Sequence, residues 1–207
     1  MNDDESLLEA WRDGDRRAGN VLFQRHFEPV RRFFVNKVDD EATELVQRTF
    51  LRCVAAKERF EGRSSFRTFL FAIAHNVLRE HYRARSRARA EDDVDEHSVV
   101  DLGAGLSTML DDKREQRALL LALRRIPLKF QVVLELYFWE KLTGPEIGQA
   151  LGIPEDTARS RIRRGKELLR EALGKVAEAE VAENTGGDLD GWAEAVRAEM
   201  MGAAEIR

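Results

Sequence analysis

The chain has 207 residues, enough for one large helical domain or two small ones, and 34 Lys/Arg against 38 Asp/Glu leave a net charge of −4. A single cysteine, Cys53, excludes an internal disulfide and a cysteine-built zinc site, and His26, His75, His81 and His97 show no ligand-like spacing. No apolar run approaches the roughly 20 residues of a membrane span and the acidic start is no signal peptide, so a cytoplasmic protein with no membrane insertion and no cofactor is expected.

Leu, Ala, Arg and Glu recur at helical spacing almost throughout and strand signals are nearly absent. The expected fold is all-α: two small helical domains joined by a flexible acidic linker, the second containing a helix-turn-helix. Ser6–Arg12 reads as a first helix, ending near Gly14. Gly19–Val38 reads as a second, with a broad apolar stripe of Val21, Leu22, Phe23, Phe27, Val30, Phe33 and Phe34. Asp40–Phe60 is the third, with Leu45, Val46, Phe50, Leu51 and Val54 inward or at an interface. Glu61–Ser65 is a loop and Phe66–Arg85 a fourth helix. Residues 86–112 break the periodicity, and their acidic, Gly- and Ser-containing composition reads as a linker. The helical pattern resumes at Lys113 and runs through Pro127 into the helix-turn-helix. Expected boundaries are therefore 1–87 and 113–175 for the two domains, 88–112 for the linker and 176–207 for an acidic extension. In that extension Leu189, Trp192, Val196 and Met200 form one more amphipathic stripe.

The near-neutral total conceals a pattern: residues 1–90 are net +4, 91–112 net −8, 113–175 net +6 and 176–207 net −6. Salt screens charge over roughly 8–10 Å, so a phosphate-binding face needs local positive potential rather than a positive total. Two separated basic blocks point to nucleic acid.

The second block carries the sharper signal. Thr143 with Glu146 makes a capping box, Pro145 sits in the first turn, and Ile147, Ala150 and Leu151 form an inner stripe. Gly152 can take the left-handed conformation that ends a helix, and Pro154 can open the next. Ala158, Ile162, Gly165 and Leu169 then face inward, leaving Arg159, Ser160, Arg163 and Arg164 outward with Arg161 and Lys166 on the flanks. A helix-turn-helix with a basic second helix suits a DNA major groove. A surface hairpin with a solvated charged face is the plain alternative; the cap, the turn and the one-sided cations together favour DNA.

The first block ends in VLREHYRARSRAR (77–89), preceded by the loop and helix EGRSSFRTFLFAIAHN (61–76). Polar loop groups beside a basic helix suit strand-separated DNA, where stacking on a base contributes roughly 1–3 kcal/mol. Phe66, Phe69, Phe71 and Ile73 are mostly core, so the loop, Asn76 and the arginines are the candidates for contact.

Three stretches, ATELVQRTFLRC (42–53), FEGRSSFRTFLFAIAHNVLREHYRAR (60–85) and the segment 123–173 that holds the helix-turn-helix, together resemble the extracytoplasmic-function sigma factors of bacterial RNA polymerase. The resemblance covers most of residues 20–173. It implies a promoter-recognition subunit with core RNA polymerase and promoter DNA as partners; an anti-sigma factor as a further partner is left open. Glu44, Leu45, Gln47, Phe50 and Leu51 would dock on the polymerase clamp. Gly62, Arg63, Ser64 and Ser65 would capture a flipped minus-ten base, with Asn76, Arg79 and Arg83 along the neighbouring strand. Arg159, Ser160, Arg163 and Arg164 would read the minus-thirty-five element, with Arg161 and Lys166 on phosphates or in pairs within the domain. Arg48, Phe69, Gly148 and Glu155–Asp156 depart from the family's usual residues. A polymerase-independent helix-turn-helix regulator is the alternative function. An enzyme is disfavoured, because the sequence offers no clustered carboxylates, activated nucleophile or phosphate loop.

Overall fold

A computed structural model describes residues 3–38, 40–85, 94–101 and 114–176, and every regular element in it is helical. In chain order the α-helices are α1 (Asp3–Arg12), α2 (Arg16–Val35), α3 (Ala42–Ala56), α4 (Phe66–Arg85), α5 (Arg114–Leu123), α6 (Leu128–Phe138), α7 (Gly144–Leu151) and α8 (Glu155–Val176). Single 3-10 turns lie at Lys57–Arg59 and Val94–Glu96. The stripe in the acidic extension lies outside the described residues.

Most ends follow from local chemistry. Gly14, at a φ of +104°, closes the first helix, and the Asp15 carboxylate then accepts from the backbone N–H groups of Arg17 and Ala18 to cap α2. That cap starts α2 three residues earlier than the apolar pattern predicts. The third helix is shorter than expected, because its last turn tightens at Lys57–Arg59, where the Arg12 guanidinium donates to the Lys57 carbonyl at 3.0 Å. Ser65 opens α4 as a cap, its hydroxyl accepting from the Thr68 N–H at 3.1 Å. In the second unit the Thr143–Glu146 capping box is present, and Gly152, at a φ of +65°, ends α7.

Helices α1 to α4 wrap around Leu22, Phe33, Phe34, Leu45, Phe66, Phe71 and Leu78. Helices α5, α6 and α8 enclose Leu119, Leu123, Ile126, Leu134, Phe138 and Leu169. Helix α6 belongs to both cores. It is apolar nearly all round, which means burial on every side: Leu134 and Phe138 face the second core, while Leu128, Val132, Val133 and Leu136 join the first.

The two units are therefore present as the sequence predicts, but they are not held apart. Helix α7 packs on α4, and Ile147, Ala150 and Ala158 complete the core built by the first unit. The described part of the acidic segment is docked as well. Val99 is fully buried, the Leu128 N–H donates to the His97 carbonyl at 2.8 Å, and the Val100 N–H donates to the Arg124 carbonyl at 3.3 Å. A tether of carboxylates is expected to be solvated; here Val99 gives residues 94–101 an apolar side chain to bury, while Val100 stays exposed.

Candidate nucleic-acid and polymerase interface

Helices α2 and α3 lie side by side and leave an open apolar groove of about 510 Å³ between them, lined by Phe23, Gln24, Phe27, Val46, Gln47, Phe50, Leu51 and Val54. Phe50 anchors its floor, with the Phe23 ring 4.7 Å away and Phe27 stacked parallel at 6.4 Å. Leu51 is 67% exposed and Phe27 44%, an unusual cost for large apolar groups on adjacent helices. Of the five residues expected to dock, Gln47, Phe50 and Leu51 line the groove, and Glu44 is exposed on the same helix. Leu45 is 1% exposed and belongs to the core, so it supports this surface from behind. Phe23, Phe27 and Val54 are groove residues that the docking set omits. The signal was in α2's stripe, which spans more of the helix than one core can cover.

Arg48 and Arg52 turn the other way, toward α4. Arg48 donates to Glu80 Oε2 at 3.2 Å and Arg52 to Glu80 Oε1 at 2.7 Å. The Arg52 hydrogen bond holds the Glu80 carboxyl below its ordinary range. Arg48 thus serves the α3–α4 seam.

In the loop before α4, Gly62 adopts a φ of +70°, a conformation that favours glycine, and lifts Arg63 into solvent beside Glu61. Ser64 is half-buried, and Ser65 is committed to the cap of α4, its hydroxyl 2.9 Å from Thr68 Oγ1. Along α4, Asn76 and Arg83 are exposed. Arg79 is half-buried and faces Asp95 of the docked linker at 3.5 Å. Phe69 packs on Phe60 with ring centroids 4.9 Å apart, in keeping with a packing role.

On α8, Arg159, Ser160, Arg163 and Arg164 are exposed on one face. Arg159 pairs with Glu155 one turn earlier, and its aliphatic stem lies over Gly144, where a Cβ would come within 3.2 Å of it. Arg164 pairs with Glu167 at 2.8 Å, and the Ser160 hydroxyl donates to the Thr157 carbonyl at 2.9 Å. Lys166 lies over the rings of Tyr137 and Phe138, 4.8 and 5.1 Å from their centroids, a placement within the unit. Gly148 has a steric reason: a Cβ there would stand 2.9 Å from the Ile153 carbonyl oxygen, where the turn crosses α7.

Arg161 is half-buried and its charge bears on His75 of α4, across the junction of the two units. Burial lowers the His75 pKa to about 4, and Arg79, Arg161 and Lys37 push it the same way. In the unfolded chain this imidazole protonates near 6.5, so the unfolded state binds the proton first as pH falls. The stability contributed by neutral His75 is complete above about pH 6.5 and is lost toward pH 4. Chemical denaturation at pH 7 and pH 5 should therefore show a loss of roughly 2 kcal/mol from this group, and the His75→Gln variant should show a flatter profile. Burial lowers His26 and His81 also, so their contributions have the same sign as that of His75.

Two family models match the chain: Sigma-70 region 2 over residues 22–88 and Sigma-70 region 4 over residues 116–169. RNA polymerase sigma factor CarQ of Myxococcus xanthus is 34% identical over 180 residues, covering 84% of this chain and 99% of that protein. RNA polymerase sigma-H factor of Pseudomonas aeruginosa is 29% identical over 181 residues, covering 82% of this chain and 93% of that protein. The fold is similar to that of CnrH, solved with the cytosolic domain of CnrY, at a TM-score of 0.64 and 22% identity over 85% of this chain and the whole of that one. It also resembles the sigma factor RpoE of Bartonella quintana, solved with the anti-sigma factor NepR, at a TM-score of 0.60 and 20% identity over 75% of this chain and 96% of that one.

Proposed function

The chain belongs to the extracytoplasmic-function sigma factors of RNA polymerase, and we propose that it divides promoter recognition among three surfaces. The groove between α2 and α3 receives the clamp of core polymerase through Phe27, Phe50 and Leu51, with Glu44 and Gln47 at its rim. The loop Gly62–Ser65 with Asn76, Arg79 and Arg83 takes the separated strand of the minus-ten element. Arg159, Ser160, Arg163 and Arg164 enter the major groove at minus thirty-five. Arg161 and Lys166 support that helix or touch phosphates. This work is done in the cytoplasm and requires no chemistry from the subunit. Extruding a base costs a few kcal/mol, which binding of the flipped base offsets. An anti-sigma factor, the kind of partner seated on RpoE, is a further partner of the same proposal.

The observation that carries this reading is an exposed aromatic groove lying apart from two basic faces, in a chain matched by sigma regions 2 and 4 in order. Run-off transcription with purified core polymerase on a promoter library tests it. Specific transcripts are expected; DNA binding without polymerase capture would return the chain to a plain helix-turn-helix regulator. In the same assay Arg163→Ala should weaken cognate promoters about tenfold and change the preferred upstream bases. An equal loss on every sequence would make Arg163 a phosphate contact.

A further inference from the structure

The two ends of the loop Glu61–Ser65 are anchored by different means. Its far end is held within α4 itself, by the Ser65 cap and the fully buried Phe66 ring. Its near end has no such support. The chain leaves α3 through the 3-10 turn Lys57–Arg59, and a turn that runs into a loop leaves its last carbonyls in need of donors. One side chain from outside the turn supplies them. The Arg12 guanidinium, at the end of α1, donates through Nε to the Lys57 carbonyl at 3.0 Å. Through Nη2 it donates to the Glu58 carbonyl at 3.1 Å and to the Phe60 carbonyl.

The donor is itself fixed in place. Helix α1 is fastened near its start by Asp4, whose carboxylate lies 2.7 Å from His26 Nε2, and at its end by the buried Trp11. The Trp11 ring lies so close to α2 that a Cβ on Gly19 would stand 2.6 Å from it. The same ring meets Phe23 edge-on at 5.2 Å and has the Lys57 ammonium 5.0 Å from its centroid. Lys57 in turn donates to the Trp11 carbonyl at 3.0 Å, so α1 and the turn are cross-linked in both directions. A planar guanidinium, with its donors in a rigid fork, can bridge several carbonyls where a single ammonium cannot. Phe60 is held by its ring as well as its carbonyl, because it is buried and packs on Phe69 at 4.9 Å.

Beyond this root the loop turns to solvent: Gly62 and Arg63 are exposed and Ser64 is half-buried. A loop that must receive a single base works best when its groups already stand in place, since ordering them during binding would offset part of the gain. We propose that Arg12 is a positioning residue for base capture: by holding the Lys57, Glu58 and Phe60 carbonyls it sets the root of the loop Gly62–Ser65, and with it the selectivity for a minus-ten base. The proposal rests on the reading of that loop as the base-capturing element. Arg12 acts through the loop, its fork being occupied by backbone carbonyls. Its loss therefore falls on base selectivity and not on polymerase docking, for which Phe27, Phe50 and Leu51 remain as they are.

Selection from a pool of random-sequence single-stranded DNA tests this, with the full chain assembled on core polymerase and the bound strands sequenced. The unmodified protein should enrich one base at one position of a short motif. In Arg12→Ala that enrichment should fall about tenfold, as it would if about a tenth of the loops held the competent geometry. Total DNA retained and capture of core polymerase should stay equal. Arg12→Lys, which keeps the stem and the charge but not the fork, should show the same fall, and it carries the test where Arg12→Ala fails to fold. A residue that only stabilised the fold would lower capture and enrichment together, so enrichment lost with capture kept supports the positioning role. Enrichment retained in the folded variants, or lost only in proportion to capture, overturns that role and leaves the loop reading standing. An unmodified protein that enriches no base sinks the loop reading, and the role of Arg12 with it.

Discussion

Leu51→Asp is expected to reduce capture of core polymerase by about a hundredfold, and transcription with it, while the chain keeps its fold. Leu51 is 67% exposed at the mouth of an apolar groove floored by Phe50, so a carboxylate there disturbs nothing that folding requires. On docking, however, that carboxylate would be stripped of water against aromatic rings, a burial strongly disfavoured without a partner. Leu45→Ala, six residues earlier on the same helix, should do the reverse. Its side chain is 1% exposed, and truncation costs about 2–5 kcal/mol of folding stability through the cavity it leaves. Pull-down with core polymerase beside a denaturant titration separates the two. Capture lost with stability kept identifies Leu51 as contact; equal losses in both measurements for both variants would mean the groove is only part of the core.

Glu135→Ala should be the most damaging polar substitution, at about 3–5 kcal/mol, because it strands the Lys37 ammonium in a fully buried site. Burial already pushes the lysine pKa down and the Glu135 pKa up, each opposed by the other's charge. Removing the carboxylate leaves the desolvation of Lys37 without its compensation. The folded chain has two ways to relieve this: the lysine can lose its proton, or the two units can part and let water in. The loss seen by denaturation is therefore capped by the cost of parting the units. Replacing both partners with apolar residues, Lys37→Met/Glu135→Leu, should come within about 1 kcal/mol of the unmodified protein, as paired removal of buried charges usually does. A double variant as unstable as Glu135→Ala would show that the pair itself, rather than its mutual compensation, holds the two units together.

Much of the molecule was legible without tertiary information because its signals are short-range. The Thr143–Glu146 box, the left-handed Gly152 and the 3.6-residue recurrence of Ala158, Gly165 and Leu169 each act over one or two turns, and the helix-turn-helix follows from them. The separation of exposed Arg163 and Arg164 from the inner stripe is likewise a matter of periodicity. Periodicity alone could not distinguish Leu45 from Leu51, since both belong to an apolar face broader than one core covers. Which of them meets water was settled by where α2 and α4 sit against α3.

Order along the chain and the local course of its helices were thus determined by sequence alone, through caps, turn glycines and apolar recurrence. Tertiary structure decided that the halves share a core, that Lys37 and Glu135, 98 positions apart, become partners away from water, and that Asp95 of an acidic stretch lies on Arg79. The physical reason is range. A cap or a turn is decided by groups a few residues apart, whereas the worth of a buried charge or an exposed leucine depends on which distant surface arrives to cover it.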